Sequence, residues 1–136
     1  MKKNVTLWIV QGLLAALFLF AGGMKLVLPI EAMAGPVAFP GWFLRFIGVA
    51  EVLGACGLVL PGLLRIRTGL TPLAATGLVV IMTGATAITA ATGPLAGSVV
   101  PGVVGVICAV VAYARSRTDV PAPRPAHKLT ALASAR

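Results

Sequence analysis

The chain has 136 residues, enough for one domain; 59% of them are hydrophobic and only 10% are charged. A soluble domain carries about 25% charged residues, so there are too few charges here to cover a water-facing surface. The net charge of +8 would be consistent with nucleic-acid binding if Lys and Arg clustered on a water-exposed surface. Here they lie between long apolar runs instead. The composition therefore predicts an integral membrane protein with no nucleic-acid partner.

The first uncharged apolar run extends from Val5 to Met24. As a helix it would be roughly 30 Å long, which matches the hydrocarbon core of a bilayer. We predict a first span over about residues 5–25. Lys2 and Lys3 before the run also fit a signal peptide, but the run exceeds the roughly 7 to 15 residues of a signal core. A retained helix is therefore favoured over a cleaved leader.

A connection rich in helix-breaking residues follows the first span. It contains Pro29, Gly35, Pro36 and Pro40. The second span is predicted over about residues 42–60, and its apolar run ends at Pro61-Gly62. It carries two charged residues, Arg45 near its start and Glu51 near its middle.

The next 47 positions, between Arg67 and Arg115, contain no charged residue. One helix of that length would extend about 70 Å, more than twice the membrane thickness. The chain must therefore reverse once, and Gly93-Pro94 is the natural break. We predict a third span over about residues 72–91 and a fourth over about 97–114.

Proline marks the starts of both of these spans. Thr71 before Pro72 is typical of a hydroxyl N-cap followed by proline at the first helical position. Pro101 is expected in the first turn of the fourth span.

Basic residues are divided unequally between the two sides that four spans create. Nine lie on the side of the termini and of the connection between spans two and three: Lys2, Lys3, Arg65, Arg67, Arg115, Arg117, Arg124, Lys128 and Arg136. Only Lys25 and Arg45 lie on the other side. Because positive residues are retained in the cytoplasm, we expect both termini to be cytoplasmic, with residues 1–115 forming a four-span domain in a bacterial inner membrane.

Residues 116–136 have a different composition. Three prolines, Pro121, Pro123 and Pro125, stand among basic and small residues without an apolar period. Such a segment is expected to be a disordered cytoplasmic tail that rests on anionic lipid, with His127 in solvent.

Glu51 is the most informative single residue. It would lie about 13 Å from the start of its helix, inside the hydrocarbon, where a charge costs about 2.5 to 3.5 kcal/mol. It therefore needs a partner, and the small neighbours Gly48, Gly54 and Ala55 would let another helix approach.

The favoured partner lies on the first helix, where one stripe contains Gln11, Ala15, Phe18, Gly22 and Lys25. If that stripe faces the bundle, Lys25 approaches Glu51. Arg45 is a poorer partner for Glu51, since it lies about 120° round the helix and its side chain can extend to the headgroups. The candidate intramembrane polar site is thus Lys25, Glu51, Arg45 and Gln11.

Two interpretations of this site stay open. It is either a proton-responsive group or polar anchor for a quinone-like amphipathic ligand, or an ion pair that fixes helix register. Likewise, the threonines of the third span, Thr76, Thr83, Thr86 and Thr89, favour helix packing over a polar pathway.

No catalytic or metal-binding pattern is present. There is no paired carboxylate set, no HExxH and no GxxxxGK[ST] motif, and Cys56 and Cys108 lie in apolar runs without CxxC spacing. We therefore expect no metal site and no catalytic residues.

Several segments resemble the DoxX-like family of small bacterial membrane proteins. They are Ala21-Gly22-Gly23-Met24-Lys25-Leu26, the R-x-x-G-x-x-E segment from Arg45 to Glu51, the G-L-x-L-P segment from Gly57 to Pro61, and Leu70-Thr71-Pro72-Leu73-Ala74-Ala75. The resemblance covers roughly residues 7–114 and implies a four-helix bundle with Lys25, Arg45 and Glu51 as characteristic polar positions. Some relatives are associated with quinone-linked sulfur oxidation or with oxidative stress. Many carry a His where this chain has Thr86 and Thr89, which weakens a carry-over of redox chemistry.

The hypothesis that follows is an accessory subunit of a membrane redox system, without catalytic activity of its own, that takes a quinone or lipid near Glu51. Its expected partners are membrane lipid and either a membrane oxidoreductase or further copies of the same chain. One alternative is a small oligomeric transporter or permeability protein with Glu51 as a proton-responsive site. Another is a purely structural membrane protein.

Overall fold

The computed structural model describes residues 2–33, 35, 37–67, 69–118 and 134. In these residues the chain forms four long helices, α1 (Lys2–Val27), α2 (Gly41–Leu63), α3 (Leu70–Thr92) and α4 (Leu95–Thr118), with a short 3₁₀ helix (Ile30–Met33) between α1 and α2. All four long helices have the length and hydropathy needed to cross a membrane. The prediction of an all-α bundle of four spans is confirmed, and each predicted span lies within one of these helices.

The helices pack in chain order and run antiparallel. α1 packs on α2, α2 on α3 and α3 on α4, whereas α1 and α4 touch only sparsely. One end of the bundle therefore carries the α1–α2 connection and the α3–α4 turn, and we call it the Glu31 end. The opposite end carries the start of α1, the α2–α3 loop and the end of α4, and we call it the Arg115 end.

Small residues set the distances between neighbouring helices. A Cβ placed on Gly22 of α1 would lie 2.7 Å from the carbonyl oxygen of Gly48 on α2, and one on Gly57 would lie 2.6 Å from the Cβ of Ala74 on α3. At these positions the two helix backbones approach each other closely, and such close packing at small residues is common between membrane helices.

The core is narrow, and most large apolar side chains point outward. Its buried apolar residues are Leu14, Ala15, Phe18, Ala55, Leu58, Ala75, Leu78, Met82, Cys108 and Val111. Outside it, side chains such as Leu13, Phe20 and Leu53 are exposed over about two thirds of their surface (68%, 68% and 66%). In a soluble protein this surface would aggregate, whereas in a bilayer it contacts acyl chains.

Two helix starts differ from the predictions. The residue capping α3 is Gly69, and Thr71 is a buried helical residue. Pro72 is tolerated there because the first four N–H groups of a helix have no intrahelical partner. α4 begins at Leu95, so Pro101 lies inside the helix and not in its first turn.

The predicted tail begins at residue 116, but α4 continues through Thr118. Of the remaining residues, 119–136, only residue 134 is described. The prediction of a disordered tail, including the environment of His127, therefore falls outside the described residues.

Candidate functional site

Lys25 and Glu51 form an ion pair between α1 and α2. The Lys25 Nζ lies 2.8 Å from Glu51 Oε2. The Glu51 side chain is only 3% exposed, whereas that of Lys25 is 29% exposed. A carboxylate roughly 15 Å into α2 is in the middle of a membrane span, so the lysine supplies the compensating charge that this depth requires.

Arg45 joins the same cluster through backbone atoms. Its Nη1 donates to the Lys25 carbonyl at 2.7 Å and its Nη2 donates to the Leu28 carbonyl at 2.9 Å. The last carbonyls of a helix have no intrahelical partner, so the guanidinium caps the end of α1. As expected, Arg45 does not pair with Glu51, but its side chain turns to α1 instead of extending to the headgroups.

Glycine contacts explain why these side chains meet. A Cβ on Gly48 would lie 3.0 Å from both the Gly22 carbonyl oxygen and the Lys25 Cβ. This close crossing brings the lysine stem against α2 one turn from Glu51. We call Lys25, Glu51 and Arg45 together the α1–α2 clamp, since every member ties one helix to the other.

Gln11 does not belong to that clamp. It lies fourteen residues before Lys25 in α1, about 21 Å away along the axis, and is buried at the Arg115 end. Its Nε2 donates to the Leu58 carbonyl of α2, and its Oε1 accepts a 2.7 Å hydrogen bond from Arg115 Nε of α4. Gln11 therefore connects three helices, and the four predicted site residues form two separate polar clusters.

The interaction between Gln11 and Arg115 was missed in the sequence. The Arg115 guanidinium also lies over the Trp8 ring, 5.4 Å from its centroid, while its Nη2 is buried without a hydrogen-bond partner among the described residues. A signal was available: Cys108, Val111 and Arg115 are spaced i, i+3 and i+7, so they share one helical face. The first two are fully buried, which places the arginine on the inward side.

The threonines of α3 are bonded to their own helix. Thr76, Thr83, Thr86 and Thr89 each donate a hydroxyl hydrogen bond of 2.7–2.8 Å to the carbonyl four residues earlier. Two of them also face α4, since a Cβ on Gly97 would contact Thr89 and one on Gly102 would contact Thr86. The geometry favours helix packing for Thr86 and Thr89, and the intrahelical bonds satisfy the hydroxyl donors of all four threonines.

A cavity of about 560 Å³ lies at the Glu31 end. We call it the Glu31 cavity; it is lined by Ile30, Glu31, Met33, Gly35, Val37, Ala38, Phe39, Leu44, Ile88, Thr89, Thr92, Gly93 and Pro94. One wall is the α1–α2 connection and the other is the end of α3. Ile30 packs against Gly41 and so holds the connection in place. A side chain at position 41 would prevent this contact.

The clamp adjoins this cavity without lining it. Leu44 lines the cavity and is the neighbour of Arg45 in α2. Glu51 lies two turns further along α2, about 10 Å from Leu44, and none of the clamp residues is among the cavity walls. The clamp thus positions the α1–α2 connection, which in turn forms one side of the cavity.

No metal site is found in the described part of the chain. No group of three or more His, Cys, Asp or Glu side chains lies close enough there to hold an ion. Cys56 and Cys108 are free thiols on different helices.

The family model of the DoxX-like family matches residues 9–111, which is most of the chain and all of the clamp. The chain belongs to the DoxX-like family. This confirms the resemblance found in the sequence, and it places the Lys25–Glu51 pair inside the DoxX-like segment while Arg115 lies just beyond it. Neither a curated protein nor a solved structure matches this DoxX-like chain significantly.

Proposed function

We propose that this DoxX-like protein is an accessory subunit of a redox system in the bacterial inner membrane and that it binds a quinone-type ligand in the Glu31 cavity. In this proposal both termini are cytoplasmic, so the Glu31 end faces outward. The subunit has no catalytic residues of its own. Its partner is a membrane oxidoreductase that produces or consumes the bound ligand.

The cavity is the observation that carries the proposal. Its volume of about 560 Å³ falls within the roughly 300 to 1,000 Å³ of ordinary small-molecule sites. Its walls are mainly apolar, with a few polar groups, which is the usual composition of a site for a flat amphipathic molecule. A ligand with a long apolar tail could enter from the surrounding lipid.

The polar groups of the cavity favour the reduced form of such a ligand. The Glu31 carboxylate is an acceptor. The Thr89 and Thr92 hydroxyl protons are donated to their own helix at 2.7 Å, so their oxygens offer only lone pairs. A quinol has two O–H donors to match these acceptors, whereas a quinone has only carbonyl acceptors. We therefore propose the quinol as the preferred ligand.

The site predicted from the sequence, near Glu51, is better explained as the clamp that supports the cavity. The carboxylate is buried against Lys25 and does not line the Glu31 cavity. Hydrogen bonds from Arg45 to two carbonyls hold the chain where it leaves α1. The clamp and the cavity walls thus form one continuous unit.

A matched pair of α3 variants tests the ligand site. Thr92 and Thr76 are both exposed and both bond to the carbonyl four residues earlier, but only Thr92 lines the Glu31 cavity. Thr92→Phe should fill the cavity and abolish the thermal stabilisation produced by a short-tailed quinol in detergent. Thr76→Phe should leave that stabilisation unchanged. Equal responses in both variants, or stronger stabilisation by the quinone than by the quinol, would contradict the proposal.

One observation favours a second candidate function. Glu51 is an ionisable group at mid-membrane depth, and such groups often mark proton pathways. A small oligomeric transporter with Glu51 as its proton-responsive site would lose substrate flux in proteoliposomes on Glu51→Gln while staying folded. A purely structural protein would lose stability alone in the same variant, without a flux or a ligand effect.

A further inference from the structure

A second apolar depression lies between α2 and α3 on the membrane-facing surface. It has a volume of about 820 Å³, and we call it the α2–α3 groove; its lining includes Phe46, Leu53, Leu60, Ile66, Leu73 and Gly77. Leu53, Leu60 and Leu73 are exposed, so the groove opens directly to lipid.

The groove runs along the bundle towards the Arg115 end. From Phe46 to Leu64 it follows α2 for about 27 Å, longer than one leaflet of a hydrocarbon core of about 30 Å. The depression forms where side chains are small. At Gly77, for example, an added Cβ would have nothing within 4 Å. Its shape and lining suit a single acyl chain.

Arg65 and Arg67 lie in the α2–α3 loop, at the Arg115 end of the groove. Leu64 and Ile66 of the α2–α3 loop line it, and Arg65 and Arg67 alternate with them and are exposed. Both arginines have positive φ, 54° and 38°, a region that carries a conformational cost for residues other than glycine. The loop thus places Leu64 and Ile66 in the groove, and the two arginines flank Ile66 in the chain.

These cations have no anionic partner in the described part of the chain. No hydrogen bond or ion pair among the described residues involves either guanidinium. Of the three acidic residues in the sequence, Glu51 is paired with Lys25 and Glu31 lies at the opposite end. Asp119 lies outside the described residues.

We propose that the α2–α3 groove is a binding site for an anionic phospholipid. One acyl chain occupies the groove, and the phosphate lies between Arg65 and Arg67 at the headgroup level, where guanidinium groups bind phosphate well. Charge complementarity favours an anionic lipid over a zwitterionic one, because a zwitterionic headgroup has no net charge to attract the two arginines. The site is separate from the Glu31 cavity and lies at the other end of the bundle.

Lipid titrations in detergent test the headgroup half of the proposal. Phosphatidylglycerol should raise the melting temperature at a lower mole fraction than phosphatidylcholine. Each arginine near an anionic headgroup is expected to contribute about fivefold in affinity. Arg65→Gln/Arg67→Gln should therefore raise the half-saturating mole fraction of phosphatidylglycerol about 25-fold. The control Lys2→Gln/Arg117→Gln removes two charges at the same end, away from the groove, and should change it less than about threefold.

A pair of glycine variants tests the acyl-chain half. Gly77 and Gly84 both lie on α3, and a Cβ added to either would have nothing within 4 Å, but only Gly77 lines the groove. Gly77→Leu should abolish saturable stabilisation by phosphatidylglycerol, and Gly84→Leu should preserve it. Equal responses to both lipids, or equal losses in the two double variants that remove basic residues, would overturn the proposal. A lipid-free dimer that Gly77→Leu dissociates would overturn it in favour of a second copy of the chain.

Discussion

Removing either partner of the Lys25–Glu51 pair should have unequal effects on stability. The two side chains are 2.8 Å apart, but Glu51 is only 3% exposed whereas Lys25 is 29% exposed. Lys25→Met leaves a buried carboxylate without a cation. Glu51→Gln leaves a lysine that can still reach the headgroups and an amide oxygen that can still accept its hydrogen bond.

The expected magnitudes follow from these exposures. Breaking a buried pair by removing one partner costs about 3 to 5 kcal/mol, and we assign this loss to Lys25→Met. For Glu51→Gln, which loses charge assistance but keeps a neutral acceptor, we expect about 1.5 kcal/mol. In the double variant a neutral amide lacks a partner, which costs about 1 to 3 kcal/mol. The double variant should therefore be more stable than Lys25→Met alone.

Reversible unfolding of the four proteins with a denaturing detergent measures these free energies. The double-mutant cycle isolates the coupling between the two side chains. If the two single substitutions each cost below about 1 kcal/mol and add without coupling, the pair resembles an exposed surface ion pair, and the clamp interpretation is refuted.

Three further sites give defined outcomes on substitution, one of them with a matched control. Gly22→Ala should destabilise the protein by about 1 to 3 kcal/mol because the new methyl group meets a backbone carbonyl of α2, whereas Gly23→Ala, with nothing within 4 Å, should be neutral or slightly stabilising in the same unfolding assay. Arg45→Lys keeps the charge but not the fork that reaches two carbonyls, so it should lose about 1 to 3 kcal/mol and increase amide exchange at the end of α1. Gln11→Leu leaves the Leu58 carbonyl and the Arg115 guanidinium without their partner and should cost about 1 to 3 kcal/mol, with no effect on quinol binding at the opposite end.

The fold could be predicted from the sequence because every helix that crosses a bilayer must span the same hydrocarbon core, about 30 Å thick. At that scale the run from Val5 to Met24 matches one full span and exceeds the length of a signal core, and the uncharged stretch after Arg67 matches two spans. The helix ends were less well predicted, since proline is tolerated in the first turn of a helix and, in membrane helices, inside it as well. Pro101 in particular gave no local indication that α4 begins six residues earlier.

The polar clusters could be predicted only where one helix face carried the information. The stripe containing Gly22 and Lys25 indicated the approach to Glu51, because small and polar residues shared a face. The same stripe suggested that Gln11 belonged with them, yet Gln11 and Lys25 lie about 21 Å apart along the helix, which is most of the hydrocarbon core. The Glu31 cavity depends on a connection that crosses from α1 to α2, and no helical periodicity describes such a path.

Photolabelling with a quinol analogue that carries a photoreactive group near its ring is the most direct test of the proposed ligand site. Mapping by mass spectrometry should place the label on cavity residues such as Leu44 and Thr92, and excess unlabelled quinol should prevent it. Label centred on the helix turns around Glu51, or spread over the lipid-facing surface without saturation, would contradict a ligand site in the Glu31 cavity.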